Sequence, residues 1–192
     1  MNFLGHIFFS NDDLDLMHAN LFGDFVKGSN LEAFTPEIRN GIILHRSIDS
    51  FIDQHHAVKL LSRKLSSELP KVAPIAIDLF FDHFLFNNWS MYHNGDLAKL
   101  LNDFYNYKID ENSYPNDRFH FMLKYLKSEK WISSYGTLEG IGQACKGVSN
   151  RISFPNALVN GQVVLEKKYL EIESTFHVFM KDALDKFNSE GS

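Results

Sequence analysis

The stretch Thr35-Pro36-Glu37-Ile38-Arg39-Asn40-Gly41-Ile42-Ile43-Leu44-His45-Arg46-Ser47-Ile48-Asp49-Ser50-Phe51-Ile52-Asp53-Gln54 decides the fold class. It opens with a capping hydroxyl, then a proline at the first helical position, then an acid, which together mark a helix start. At about 100° per residue, Ile38, Ile42, Ile48 and Ile52 fall within about 60° of His45, so they form one apolar face. Asp49 lies about 40° from His45, one turn along that same face. An unpaired carboxylate buried there costs several kcal/mol. The pair is therefore hydrogen-bonded, ion-paired or bound to a metal.

Outward from this helix the chain reads as further helices. Residues 2–10 form a short apolar stretch, with Asn2 as a candidate N-cap and His6 inside it. Asn11, Asp12 and Asp13 offer caps for a helix running to about Lys27 and stopped by Gly28. A short helix is expected over 56–68. One over 72–89 is apolar nearly all round, as buried central helices are. Amphipathic stretches follow near 96–108, 116–130 and 137–149, then a turn at Asn160-Gly161 and a long last helix over 162–188. No alternating strand pattern of useful length occurs. The expectation is an all-α fold, a single-domain helical bundle over 1–188 with a polar tail at 189–192.

Composition agrees. The 192 residues are 44% hydrophobic and 22% charged, ordinary for a globular protein. Only 11 Gly and 5 Pro occur, too few for a turn-rich β-sandwich. Nineteen basic against 24 acidic side chains give a net charge of −5, which disfavours nucleic acid as a partner. No run of 18 apolar residues indicates a membrane span. The N-terminal segment lacks a basic stretch of signal type, and Cys145 is the one cysteine, so a reducing, cytoplasmic location is expected. The 18 Phe imply a bulky core, and the nine His call for a chemical explanation.

The helix at 72–89 repeats the feature of the first. Asp78 and Asp82 stand one turn apart among Ile75, Phe81, Leu85 and Trp89. Two close carboxylates repel unless a cation lies between them. One His–Asp pair alone reads more simply as a local hydrogen bond; two interrupted apolar faces favour a divalent ion. Asp24 and His6 are further candidate ligands. His55 and His56 read as a surface loop, and His18, His93, His120 and His177 as structural. Cys145 reads as a core thiol. There is no Glu-x-x-His, no HExxH, no P-loop and no GxGxxG. Carboxylates with one or two imidazoles suit Mn²⁺, Mg²⁺ or Fe²⁺.

The same residues carry a family resemblance. Met1-Asn2-Phe3-Leu4-Gly5-His6, Asn20-Leu21-Phe22-Gly23-Asp24-Phe25-Val26-Lys27-Gly28, Gly41 to Phe51, and Asp78 to Leu85 followed by Trp89 resemble, in order, the motifs of the acyl carrier protein phosphodiesterases. Two departures occur. Ile52-Asp53-Gln54-His55-His56 stands where the family often has Thr-Asp-x-His-Pro, and Ser149-Asn150-Arg151 where it tends to have Ser-Arg-Arg.

The resemblance implies a divergent HD-type metal phosphohydrolase, although this chain has no His-Asp dipeptide, only Asp82-His83 in reverse order. It implies hydrolysis of the phosphodiester between 4'-phosphopantetheine and the serine of holo acyl carrier protein, with a divalent ion, preferably Mn²⁺. The expected metal ligands are His6, Asp24, His45, Asp49, Asp78 and Asp82. Arg46 is expected to neutralise phosphate and His83 to protonate the leaving oxygen, with Lys27 and Arg151 binding substrate. The carrier is acidic, as is this chain, so a local basic patch is needed: Lys59, Arg63, Lys64 and Lys71, or Lys124, Lys127 and Lys130. Each patch also reads as a solvated helix face. Two other readings are a phosphohydrolase acting on a nucleotide or other small phosphoester, and a metal-free helical binding module.

Overall fold

A computed structural model describes residues 1–189, and no strand occurs among them. The all-α expectation holds. In chain order the helices are α1 (Phe3–Phe8), α2 (Leu14–Phe22), α3 (Pro36–Gln54), α4 (His56–Leu65), α5 (Ala73–Asn87), α6 (Trp89–Tyr92), α7 (Leu97–Asn106), α8 (Asp117–Ser128), α9 (Leu138–Ser149), α10 (Gly161–Lys167) and α11 (Tyr169–Ser189). Of the expected polar tail at 189–192, Ser189 closes α11 and the rest lies outside the described residues.

Local chemistry sets several helix starts. Asp13 accepts from the Leu16 N–H at 3.0 Å, Asp96 from Lys99 N–H at 2.6 Å, and Thr137 from Gly140 N–H at 3.0 Å. Asn116 accepts from both Arg118 and Phe119 N–H. Each satisfies a donor that the first helical turn leaves unpaired. α3 begins and ends at the two residues its own pattern predicts.

Two boundaries differ most from expectation, while α4, expected to 68, ends at Leu65. α2 stops at Phe22 rather than Lys27; a 3-10 turn (Gly23–Phe25) follows, and Val26 is extended. The segment beyond this turn is held in place by a local and a long-range feature. Gly28 takes φ +80°, a left-handed conformation suited to glycine. The Arg46 guanidinium then donates to the carbonyls of Val26 at 3.0 Å and Gly28 at 2.7 Å. The expected last helix is broken at Lys168, after which Tyr169 sets its ring edge-on against Phe84 at 4.8 Å.

The chain divides into two compact units: Met1–Asn2 with Ser50–Asn87 and the segment from Ser134 on, and Phe3–Asp49 with Asn88–Ser133. In the first, α5 is central. Phe80, Phe81 and Phe84 are fully buried, and Phe81 and Phe84 meet Phe176 of α11 at 5.5 and 5.7 Å between ring centres. So the phenylalanine stripe is core. Cys145 is buried there too; a Cβ placed on Gly161 would come within 2.5 Å of its sulfur. In the second unit, α2 and α3 touch backbone to backbone. A Cβ on Gly41 would lie 2.3 Å from Ala19 Cβ and 2.5 Å from its carbonyl carbon. That close approach brings α3 against the short α1–α2 pair.

Candidate metal centre

His6 lies inside α1, 4% exposed between the fully buried Leu4 and Ile7. His45 is buried on α3, and Asp49 follows one turn later with its side chain 46% exposed. The helix therefore buries the imidazole and leaves one edge of the carboxylate open. His45 Nε2 is 3.1 Å from Asp49 Oδ2, and His6 Nε2 is 3.4 Å from Asp49 Oδ1. The two imidazole rings stack at 4.2 Å and 16°. Gly23 lines the other side of His45: a Cβ there would fall 2.5 Å from His45 Cβ.

Among the described residues, His6, His45 and Asp49 form a group whose candidate ligand atoms all lie within 4.8 Å of one another. Burial pushes the His6 pKa down to about 4, so this ring is neutral at pH 7. Burial would raise the Asp49 carboxyl, but the His45 and His6 imidazoles that face it outweigh burial and hold the acid well below the usual range. The site is thus an anion faced by two imidazoles, with His45 Nδ1 buried and without a hydrogen-bond partner. Two ring nitrogens and a carboxylate oxygen converging on one spot fit a divalent ion.

Behind the ligand atoms lies a buried polar network. Asn20, on α2, and Ser10 are fully buried. Asn20 Nδ2 donates to the His6 carbonyl at 2.9 Å and to Ser10 Oγ at 3.2 Å, while its Oδ1 lies 2.9 Å from His6 Nδ1. Ser10 Oγ donates to the same His6 carbonyl at 2.8 Å. Neither residue stood out as a site candidate in the sequence. The one available signal was Asn20 heading the Asn-Leu-x-Gly-Asp segment on an otherwise apolar helix face.

The other expected ligands are not in the group of His6, His45 and Asp49. Asp24 is exposed on the 3-10 turn after α2 and is not in the three-residue group. Asp78 and Asp82 belong to α5 in the other compact unit, where Asp78 Oδ1 lies 3.0 Å from the Met1 amino group and Asp82 is fully buried. His83 Nδ1–H donates to the Tyr135 carbonyl at 2.7 Å, and burial pushes its pKa down. Arg46, expected at a phosphate, directs its guanidinium at the two loop carbonyls given above. Lys27, between those carbonyls, is exposed, as is Arg151.

His55 corrects the surface-loop expectation. It sits between α3 and α4, but its side chain is only 8% exposed and Nε2 reaches Asp182 at 3.1 Å. His56 is exposed as expected. His18, His93 and His120 have structural partners in Leu14, Asp12 and Tyr114.

Comparison with known proteins gives one consistent result. A family model described as acyl carrier protein phosphodiesterase matches residues 1–183. Relatives bearing that name include one from Yersinia pestis, 31% identical over 180 residues and covering 93% of each chain. Another, from Yersinia enterocolitica, is 30% identical over 191 residues, covering 97% of this chain and 99% of its own. One from Escherichia coli is 32% identical over 185 residues, with 93% of each chain covered. No solved structure matches.

Proposed function

The chain belongs to the acyl carrier protein phosphodiesterase family, and we propose that it performs this phosphodiester hydrolysis with a divalent ion held by His6, His45 and Asp49. It is a phosphoric diester hydrolase; its substrate is holo acyl carrier protein and its product the apo form. The bond broken joins 4'-phosphopantetheine to the carrier's serine. The observation that supports the metal reading is the aim of both imidazole Nε2 atoms at the two oxygens of one carboxylate.

A divalent ion so bound supplies Lewis acidity at a phosphoryl oxygen and acidifies water. The donor set suits Mn²⁺, with Fe²⁺ and Mg²⁺ as alternatives. The chain's own residues do the rest. His6 and His45 offer ring-nitrogen ligand atoms from a dry wall of side chains, and Asp49 offers charge from its open edge. Arg46 holds the Val26–Gly28 loop, so Lys27, exposed on that loop, is the cation offered to the diester. We further assign the chain to a divergent branch of the HD-type phosphohydrolases, a reading supported by helical donors one turn apart. No described helix is long and apolar enough to cross a membrane. A cytoplasmic location is proposed with the substrate.

Mass measurement of holo acyl carrier protein before and after incubation with the protein and Mn²⁺ tests the function. The expected result is a loss equal to the phosphopantetheine arm, abolished by chelator and by Asp49→Ala. Turnover unaffected by either would overturn the metal reading. Hydrolysis of small diesters with the carrier left intact would place the enzyme on a different phosphoester.

A further inference from the structure

We propose that Asn20 is a positioning residue that locks His6 in the Nδ1–H tautomer and so turns a bare Nε2 lone pair toward Asp49. The metal consequence rests on the reading above; the tautomer does not.

The argument is one of donors and acceptors. One end of the Asn20 amide faces the His6 carbonyl at 2.9 Å. A carbonyl only accepts, so that end is the NH₂. The other end is therefore oxygen, and it lies 2.9 Å from His6 Nδ1. Oxygen of an amide also only accepts, so Nδ1 carries the hydrogen. Reversing the amide would set its oxygen against the His6 carbonyl, two acceptors 2.9 Å apart in a fully buried place, and that contact decides the orientation. Ser10 closes the alternatives: its hydroxyl hydrogen is spent on the His6 carbonyl at 2.8 Å, and its lone pair takes the Asn20 NH₂ at 3.2 Å.

A neutral imidazole has one N–H. With Nδ1 holding it, His6 Nε2 is an acceptor, and at 3.4 Å it faces Asp49 Oδ1, another acceptor. The hydrogen held at Nδ1 leaves the neutral ring with none to place between them. A cation is what converts that opposition into attraction. Metal-bound histidines are commonly fixed in this way, by a partner on the ring nitrogen away from the ion. Here the partner is an amide from the neighbouring helix, itself anchored at two points.

Two-bond ¹H–¹⁵N spectra of histidine-labelled, metal-free protein, with His6 assigned through His6→Gln, read the tautomer directly. The Nδ1–H form is expected in the wild type; the Nε2–H form would overturn the inference. Asn20→Leu should release the tautomer and weaken Mn²⁺ binding, measured by electron paramagnetic resonance titration, by about 10- to 100-fold. Ser10→Ala disturbs the same buried network without touching Nδ1, and should keep both tautomer and affinity. Asn20→Leu retaining the Nδ1–H form and full affinity would overturn the proposal. Should that variant not fold, the wild-type spectrum still decides. If the wild type binds no Mn²⁺, the metal reading falls, while the tautomer result continues to judge Asn20.

Discussion

His18 is sealed on α2 with no exposure, its ring stacked on Phe104 at 4.6 Å and tilted against Tyr107 at 5.3 Å. Nδ1–H donates to the Leu14 carbonyl at 2.6 Å, and Nε2 is buried without a partner. Burial, helped by Lys127 of α8, outweighs the Leu14 hydrogen bond and the weaker pull of Asp15 and lowers its pKa from 6.5 to about 4. The unfolded chain therefore binds this proton before the folded one does. Stability is fully present above pH 6.5 and is lost as the pH falls toward 4, by about 3 kcal/mol at most. Denaturant midpoints at pH 7 and 4.5 should show that loss in the wild type, and His18→Phe should reduce it. A profile as steep in the variant would assign the acid sensitivity to other groups. At this scale the sequence was legible where partners are one turn apart. His45 and Asp49 follow from helical spacing alone. The joining of His6 does not, because Asn20 and His6 lie 14 residues apart and meet only when α1 folds onto α2.

Helices were legible where their ends are chemically local and illegible where a distant residue ends them. Thr35-Pro36-Glu37 fixes the start of α3. Gly28 was legible as a stop, but the end of α2 at Phe22 and the Arg46 bonds that hold Val26 and Gly28 were not, since Arg46 lies 18 residues or more away. Two glycines carry predictions at this scale. Gly41→Ala forces α3 off α2, since its Cβ would meet Ala19 backbone at 2.5 Å, and should cost about 1–3 kcal/mol in chemical denaturation. Gly23→Ala acts on a side chain instead. Its Cβ would sit 2.5 Å from His45 Cβ, so the ring must shift. Mn²⁺ affinity should fall more than stability does; equal affinity in Gly23→Ala and wild type would mean that His45 is not a ligand.

Across the whole molecule, a charge of −5 meets an acidic carrier, so binding must use local charge. The two basic segments differ. Lys64 is engaged by Glu171, and Lys71 lies over the Phe154 ring at 5.8 Å. Lys127 is half-buried, donates to the Tyr107 carbonyl at 2.6 Å, and has its pKa lowered to about 8 by burial. Lys124 is exposed on the same helix beside Phe121, which is 74% exposed. Composition could forecast an all-α chain with a large aromatic core; it could not say which cations are already spent. The chain also holds a single thiol, Cys145, fully buried under Gly161, with its pKa pushed up to about 12. That makes it an intrinsic clock. A disulfide reagent can react only during excursions that lift α10 from α9, so the labelling rate times the breathing of that unit without any introduced probe. Native protein should react at least about 10³-fold slower than denatured protein.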